Sequence, residues 1–340
     1  MKRFVGLILF FIAVTTHAQI EGAVTGNHWV GTWATAQQPV VRSFMPYNNN
    51  MSGRSVRQIV KVSIGGKQLR LELSNELSRE PLVIRSVYIA HATDSCAIEP
   101  SSAKYLKFNG NYNTVIPAGK SRFSDALTFD LQPLERLAIT INYDKAPRIP
   151  TVHMGSRTTS YILRGVSTPK TSFDKAFRED HWFNISAIDV FDLTAKSIAI
   201  IGNSITDGKN STNNAQNRWP DILSESLQKK HGVTDVGILN LGIGNNRVTL
   251  TGGFGFMARK RFDHDILLQR GVRTVVIFEG VNDIGATPNN KVETVTNDLI
   301  QSYEEMIRKA KERNFRVFLG TISPFKGAGY YSVSHEAMRQ

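Results

Sequence analysis

Three short polar runs stand directly after apolar stretches, and their residue types suit acyl transfer. The first is Gly202-Asn203-Ser204-Ile205-Thr206-Asp207-Gly208, which follows Ser197-Ile198-Ala199-Ile200-Ile201. The second is Asn240-Leu241-Gly242-Ile243-Gly244-Asn245-Asn246-Arg247, and the third is Glu279-Gly280-Val281-Asn282-Asp283-Ile284-Gly285. A serine just past a buried strand either exposes a nucleophilic hydroxyl or caps the next helix. Glycines and asparagines accept positive φ, so the second run either aims backbone N–H groups at an anion or merely turns the chain. Asn282 offers a side-chain amide or closes an Asx-turn. Together the runs supply what ester attack needs: a hydroxyl and several donors around the developing oxyanion. One such donor is worth ~3–4 kcal/mol.

Two competing motifs fail on spacing. A phosphate-cradling P-loop has four residues between its first glycine and the Gly-Lys pair. Here Gly202 and Gly208-Lys209 enclose five, and Asn210 stands where a metal-binding Ser or Thr belongs. The G-x-S-x-G elbow requires glycine where Thr206 stands. Nucleotide binding and the α/β-hydrolase elbow are both disfavoured.

The elements that must position these runs divide the chain in two. Between about 25 and 190 the pattern is β. Val56–Ile64 alternates, Gly65-Gly66 predicts a two-residue hairpin turn, and Gln68–Leu73 alternates again. Further strands are predicted over 82–90, 126–129, 137–143, 160–163 and 181–190. Such spacing predicts a β-sandwich-like unit. After Leu193 the periodicity changes. Continuous apolar runs at 197–201, 236–241, 274–278 and 316–320 alternate with helical patterns at 219–231, 262–268 and 292–313, which predicts a parallel sheet covered by helices. Ligand chemistry in such sheets gathers beyond the carboxyl ends of the strands.

The chain has 340 residues, of which 41% are hydrophobic and 21% charged, enough apolar material for a substantial core. Met1-Lys2-Arg3, the apolar run Phe4–Val14 and Thr16-His17-Ala18 have the form of a secretory signal peptide over 1–18. That run is shorter than the ~20 residues a bilayer span requires, so secretion or a periplasmic location is expected, without stable membrane insertion. The formal charge is +12, but the cations, Arg259-Lys260-Arg261 among them, are spread along the chain and read as a solvated surface. Nucleic-acid binding is therefore not expected. The single cysteine, Cys96, makes no intrachain disulfide and no zinc cluster.

Gly202-Asn203-Ser204-Ile205, the loop 240–247 and Gly280-Val281-Asn282-Asp283 resemble, in order and at fitting separations, the first three sequence blocks of the SGNH (GDSL-like) hydrolase family. His28-Trp29-Val30-Gly31-Thr32-Trp33-Ala34-Thr35-Ala36 and Val56-Arg57-Gln58 resemble the N-terminal region of a two-domain secreted bacterial branch. The resemblance implies a flavodoxin-like, three-layer α/β/α domain over 194–340, preceded by the β-sandwich-like unit over 19–193. It implies a serine ester hydrolase with Ser204 as nucleophile. The Ser204 N–H, an N–H from Gly244-Asn245 and the Asn282 amide would bind the oxyanion. Asn203, Asp283 and Arg247 become the candidate substrate contacts. No metal or organic cofactor is implied, and the substrate is a small-molecule or glycan ester, with an acylated carbohydrate favoured.

The chain departs from the family at three places. Asn203 replaces the usual aspartate, and Asn245 replaces the oxyanion glycine with Gly244 before it. The family's base comes from a late Asp-x-x-His block, whereas the late histidine here, His335, follows Ser332 at that spacing. The expectation is a chain that lacks the base block and folds poorly or is nearly inactive. The alternative is a catalytically inactive glycan-binding relic of the same fold.

Overall fold

The computed structural model describes residues 28–340; the signal-like run at 1–18 lies outside the described residues. The N-terminal strands begin with β1 (Trp29–Ala34) and β2 (Gln38–Pro39), then β3 (Arg54–Lys61), β4 (Gly66–Ser74) and β5 (Leu82–His91). Shorter strands follow: β6 (Lys104–Tyr105), β7 (Thr114–Ile116), β8 (Ser121–Phe123) and β9 (Leu127–Leu131). The long β10 (Arg136–Lys145) precedes β11 (Thr151–His153), β12 (Ser160–Arg164), β13 (Phe177–Glu179), β14 (Trp182–Phe183) and β15 (Ile185–Phe191). One antiparallel sheet runs β1-β15-β4-β8, with β9 also on β4; another runs β13-β12-β3-β10-β5-β6, with β7 also on β5. Both feed one apolar cluster. Leu69, Leu71, Ile188 and Val190 come from the first sheet, and Val60, Val87, Leu137 and Ile139 from the second. Burying each such side chain contributes about 1.5–3 kcal/mol.

Gly65-Gly66 is not the predicted hairpin. β3 pairs with β10 and β12, while β4 pairs with β15, β8 and β9, so the glycines carry the chain from one sheet to the other. Neither glycine has positive φ, which the tight hairpin turns require. Their reason is close approach. A Cβ on Gly65 would stand 2.4 Å from the Leu131 carbonyl oxygen, and one on Gly66 would stand 2.9 Å from the Val190 Cβ. The predicted strand over 181–190 is also broken in two, at Asn184 with φ 60. Alternation misleads in β3 as well, because both of its faces are buried: Gln58 on one bonds the Phe183 backbone, and Arg57 on the other donates to the Cys96 carbonyl, Tyr88 and Thr140.

Beyond Phe191 the pattern of continuous apolar strands forms a parallel sheet. β16 (Lys196–Gly202), β17 (Val236–Gly242), β18 (Val272–Phe278) and β19 (Arg316–Leu319) lie in the order β17-β16-β18-β19. The helices are α1 (Ser204–Asp207), α2 (Trp219–His231), α3 (Ala258–Phe262), α4 (Val281–Ala286), α5 (Val292–Glu312) and α6 (Val333–Arg339). A π-helical turn, Asp263–Leu267, continues α3. Side chains alternate across each strand. Ile198, Ile200 and Ile238 meet Trp219, Leu223 and Leu227 of α2. Ala199, Ile201, Leu239 and Ile277 cluster instead with Phe262 of α3 and Val295, Leu299 and Met306 of α5. β19 is the edge strand, and Phe318 and Leu319 are about half exposed on it.

The N-terminal strands are joined to this sheet by backbone contacts. Gly31 N–H donates to the Arg270 carbonyl at 3.0 Å, and Ser197 Oγ donates to the Gly31 carbonyl at 2.8 Å. Ala34, Ala36 and Ala187 belong to the same apolar cluster as Leu239 and Ile277. Among the described residues no helix is long and apolar enough to cross a membrane.

Candidate functional site

The strand register brings the three polar runs to one rim. Gly202 at the end of β16 pairs with Gly242 of β17 on one side and with Phe278 of β18 on the other. The three parallel strands thus end level, and Ser204, Gly244 and Asn282 lie two to four residues past that line. The chain crosses from β16 into α1 through Asn203, whose Oδ1 accepts the Ile205 N–H at 3.0 Å as a helix cap. Ser204, the first residue of α1, is half-buried, and its carbonyl accepts from the Gly208 and Lys209 N–H groups.

The second run makes a turn in which Asn246 N–H donates to the Ile243 carbonyl at 3.2 Å. Asn245, inside that turn, adopts φ 52, the glycine-like conformation that the replacement of glycine demands. Among the described residues the N–H groups of Ser204, Gly244 and Asn245 are not taken by a backbone acceptor outside regular helix and strand bonding. The Asn282 amide spends one N–H on the Asn246 carbonyl at 2.9 Å and, as an NH₂ group, keeps a second. The rim therefore holds a hydroxyl and a set of uncommitted donors.

Three predicted substrate contacts are braces instead. Asn203 is 2% exposed and caps α1. Asp283 is fully buried, and its carboxylate accepts the N–H groups of Val248, Thr249 and Leu250 and the Thr249 hydroxyl, which pins the segment after the second run to α4. Arg247, half-buried, donates to the Thr251 carbonyl in its own loop. Asx and turn chemistry is local, whereas these partners lie up to 35 residues away, so sequence spacing alone does not reveal them.

Arg261, expected on a solvated surface, is the hub beneath the rim. It is 4% exposed and donates to the Leu241 carbonyl at 2.7 Å, the Asn246 Oδ1 at 3.0 Å and the Gly202 carbonyl at 3.2 Å. Its charge meets Asp265 at 2.7 Å and Glu279 at 3.8 Å. The i,i+4 spacing of Arg261 and Asp265 was the one signal available in the sequence. Glu279, at the foot of the third run, is 2% exposed, and its Oε1 has no hydrogen-bond partner. Burial pushes its carboxyl from 4.5 up to about 8; the Arg261 guanidinium opposes the shift and Asp283 adds to it.

That shift has a stability consequence. Between pH 4.5 and about 8 the folded chain holds the Glu279 proton and the unfolded chain does not, so stability falls as pH rises through this window and levels off above it. The slope approaches about 1.4 kcal/mol per pH unit for one fully differing proton. Glu279→Gln is expected to flatten this part of the profile. Urea melts at pH 5.5 and 7.5 for both chains measure it, and an unchanged slope in the variant would assign the dependence to another group.

A buried pair links the nucleophile helix to the N-terminal strands, and no sequence signal marked it. His153 of β11 and Asp207 at the end of α1 are each 2% exposed, with Nε2 2.9 Å from Oδ1. The other ring nitrogen, His153 Nδ1, lies 2.8 Å from the Ala36 carbonyl and donates to it. His335 is committed elsewhere. Ser332 caps α6 by accepting the His335 N–H, and the two ring nitrogens face the carbonyls of Tyr330 and Thr287. His264 is held between Asp265 and Glu76, whose hydrogen bonds push it up to about 10.

The sequence model of the GDSL-like Lipase/Acylhydrolase family matches residues 200–340, the part of the chain that carries this rim. No curated protein matches the chain. Among solved structures, similar chains include AlinE4, an SGNH-hydrolase family esterase, at 15% identity over 43% of this chain and 70% of that one, TM-score 0.33. The acetyl xylan esterase AlAXEase is 20% identical over 42% of this chain and 68% of that one, TM-score 0.32. A lipase/acylhydrolase from Enterococcus faecalis is 19% identical over 42% and 67%, TM-score 0.32. Each superposition spans less than half of this chain.

Proposed function

We propose that the chain is a serine ester hydrolase in which Ser204 attacks the carbonyl of an acylated small molecule or carbohydrate. The level register of β16, β17 and β18 is the observation that carries this reading, because the three polar runs follow strands that end at one rim. Ser204 Oγ adds to the carbonyl carbon. The resulting oxyanion takes hydrogen bonds from the N–H of Ser204, an N–H of the Gly244-Asn245 turn and the second N–H of Asn282. Collapse of the tetrahedral adduct breaks the ester C–O bond, releases the alcohol and leaves the acyl group on Ser204, from which water removes it as a carboxylic acid. Asn203, Asp283 and Arg261 act by holding the loops in place.

The hydroxyl proton needs an acceptor, and His153, His264 and His335 are spent on other partners. Turnover by the described residues is therefore expected at the residual level of ~10³–10⁴ over water that survives loss of a triad member. A reactive fluorophosphonate tests the nucleophile without requiring turnover. The expected result, read by peptide mass spectrometry, is a single adduct on Ser204 that disappears in Ser204→Ala. Labelling that persists in the variant, or none at residue 204, sinks the reading.

A further inference from the structure

The nucleophile helix cannot place its own serine. α1 is four residues long, whereas helices below about 12 residues do not hold themselves in water. Its position is therefore set by what packs on it. One grip comes from β17, where the Asn240 amide donates to the Thr206 carbonyl at 2.8 Å and Gly242 lies against the Asp207 backbone. A second grip comes from the N-terminal strands, through the Asp207 side chain.

His153 makes that second grip rigid. Its Nε2 stands 2.9 Å from Asp207 Oδ1, and its Nδ1 is anchored on the Ala36 carbonyl at 2.8 Å. The imidazole lies 5.7 Å from the Trp182 ring, and Trp182 in turn meets Trp33 edge-on at 5.0 Å. His153, Trp182 and Trp33 are all buried, so close packing leaves the imidazole little room to turn. Two residues on, Gly155 closes against the carboxylate. A Cβ there would stand 2.1 Å from Asp207 Oδ2 and 2.7 Å from Cγ. Gly155 is not at positive φ, so close approach is what requires the glycine. The same oxygen neighbours the donor turn, 3.4 Å from where a Cβ on Gly244 would lie. The Asp207 carboxylate thus sits where the nucleophile helix, the donor turn and the N-terminal strands meet.

Building on the reading of Ser204 as the nucleophile, we infer that His153 and Gly155 are positioning residues. By clamping the Asp207 carboxylate, the N-terminal strands hold the Ser204 hydroxyl in register with the donors of the Gly244-Asn245 turn. Asp207 stands about one helical turn beyond Ser204. A carboxylate that slips takes the serine with it, because a one-turn helix has no length over which to absorb the shift.

Hydrogen exchange and fluorophosphonate labelling of the full chain test this together. In His153→Leu the amides of Asp207 and Gly208, which donate to the Asn203 and Ser204 carbonyls, are expected to exchange about 10-fold faster or more. Those of β16 and β17 are expected to keep wild-type rates. The maximal labelling rate of Ser204 is expected to fall about 10–100-fold with the half-saturating probe concentration unchanged, the mark of a misplaced hydroxyl. His153→Gln, whose amide can meet Asp207 as donor or acceptor, is expected to recover most of that rate. Gly155→Ala, which crowds the carboxylate without removing a hydrogen bond, is expected to reproduce the loss; if His153→Leu does not fold, this variant decides by the same two readouts. Tyr143→Phe is the control for lost stability: it removes a hydrogen bond to Asn184 at 3.1 Å in the N-terminal core and is expected to leave α1 exchange and labelling at wild type. Unchanged α1 exchange in the clamp variants, no recovery in His153→Gln, or an equal loss in Tyr143→Phe overturns the proposal. Faster α1 exchange with no adduct on Ser204 in any chain, wild type included, sinks the nucleophile alone.

Discussion

Arg261→Met is expected to lower the stability of the chain by about 3–5 kcal/mol, the cost of removing one partner from a buried charge network. Methionine matches much of the arginine stem, so little volume is lost and the cost is polar. The substitution leaves Asp265 without its cation and strips donors from the carbonyls of Leu241 and Gly202 and from Asn246 Oδ1. Each orphaned buried acceptor costs ~1–3 kcal/mol. Glu279 also loses the charge that holds its carboxyl down, so its shift grows and the alkaline side of the stability curve falls further. Chemical denaturation at pH 7 measures the loss, with Lys260→Met as the control. Lys260 is exposed on the same short helix, and its replacement is expected to stay within ~0.5 kcal/mol. Equal effects from the two substitutions would remove Arg261 from the centre of the account.

Gly242→Ala is expected to slow labelling of Ser204 by roughly 100-fold, the scale of a 1 Å displacement of a reacting group. An alanine Cβ here would lie 2.4 Å from the Asp207 backbone nitrogen and 2.8 Å from the Thr206 carbonyl carbon. Both are backbone atoms of α1, so no rotamer relieves the clash and the helix itself must move, taking Ser204 with it. The stability cost is that of overpacking, about 1–3 kcal/mol, less than that expected for Arg261→Met. The two variants therefore separate two roles: Arg261 holds the rim together, and Gly242 sets where the hydroxyl stands. Reaction rate with a fluorophosphonate, followed beside a thermal melt, distinguishes them. Wild-type labelling in a Gly242→Ala chain of near-normal stability would show that α1 tolerates displacement.

The parallel sheet was legible in the sequence because continuous apolar runs alternating with 3.6-residue periodicity have few other solutions. Trp219–His231 forms the predicted helix without change, and α5 ends one residue earlier than predicted. The placement of Ser204 and Asn282 was legible for the same local reason, since each stands just beyond a strand whose apolar run is unmistakable. Signals failed where a short motif had two structural uses. Gly65-Gly66 reads equally well as a turn or as a close approach between sheets, and only the partners of β3 and β4 decide between them.

Residue order by itself determined the strand–helix alternation, the level of the three polar runs at the strand ends and the identity of the candidate nucleophile, all of which depend on neighbours within a few positions. Tertiary structure alone decided that Arg261 lies beneath those runs, that Asp283 faces inward and that His153 reaches Asp207 across 54 positions. The physical reason is that burial and pairing of charge are set by what packs from distant segments, and a cation reads the same in the sequence whether water or a carboxylate surrounds it.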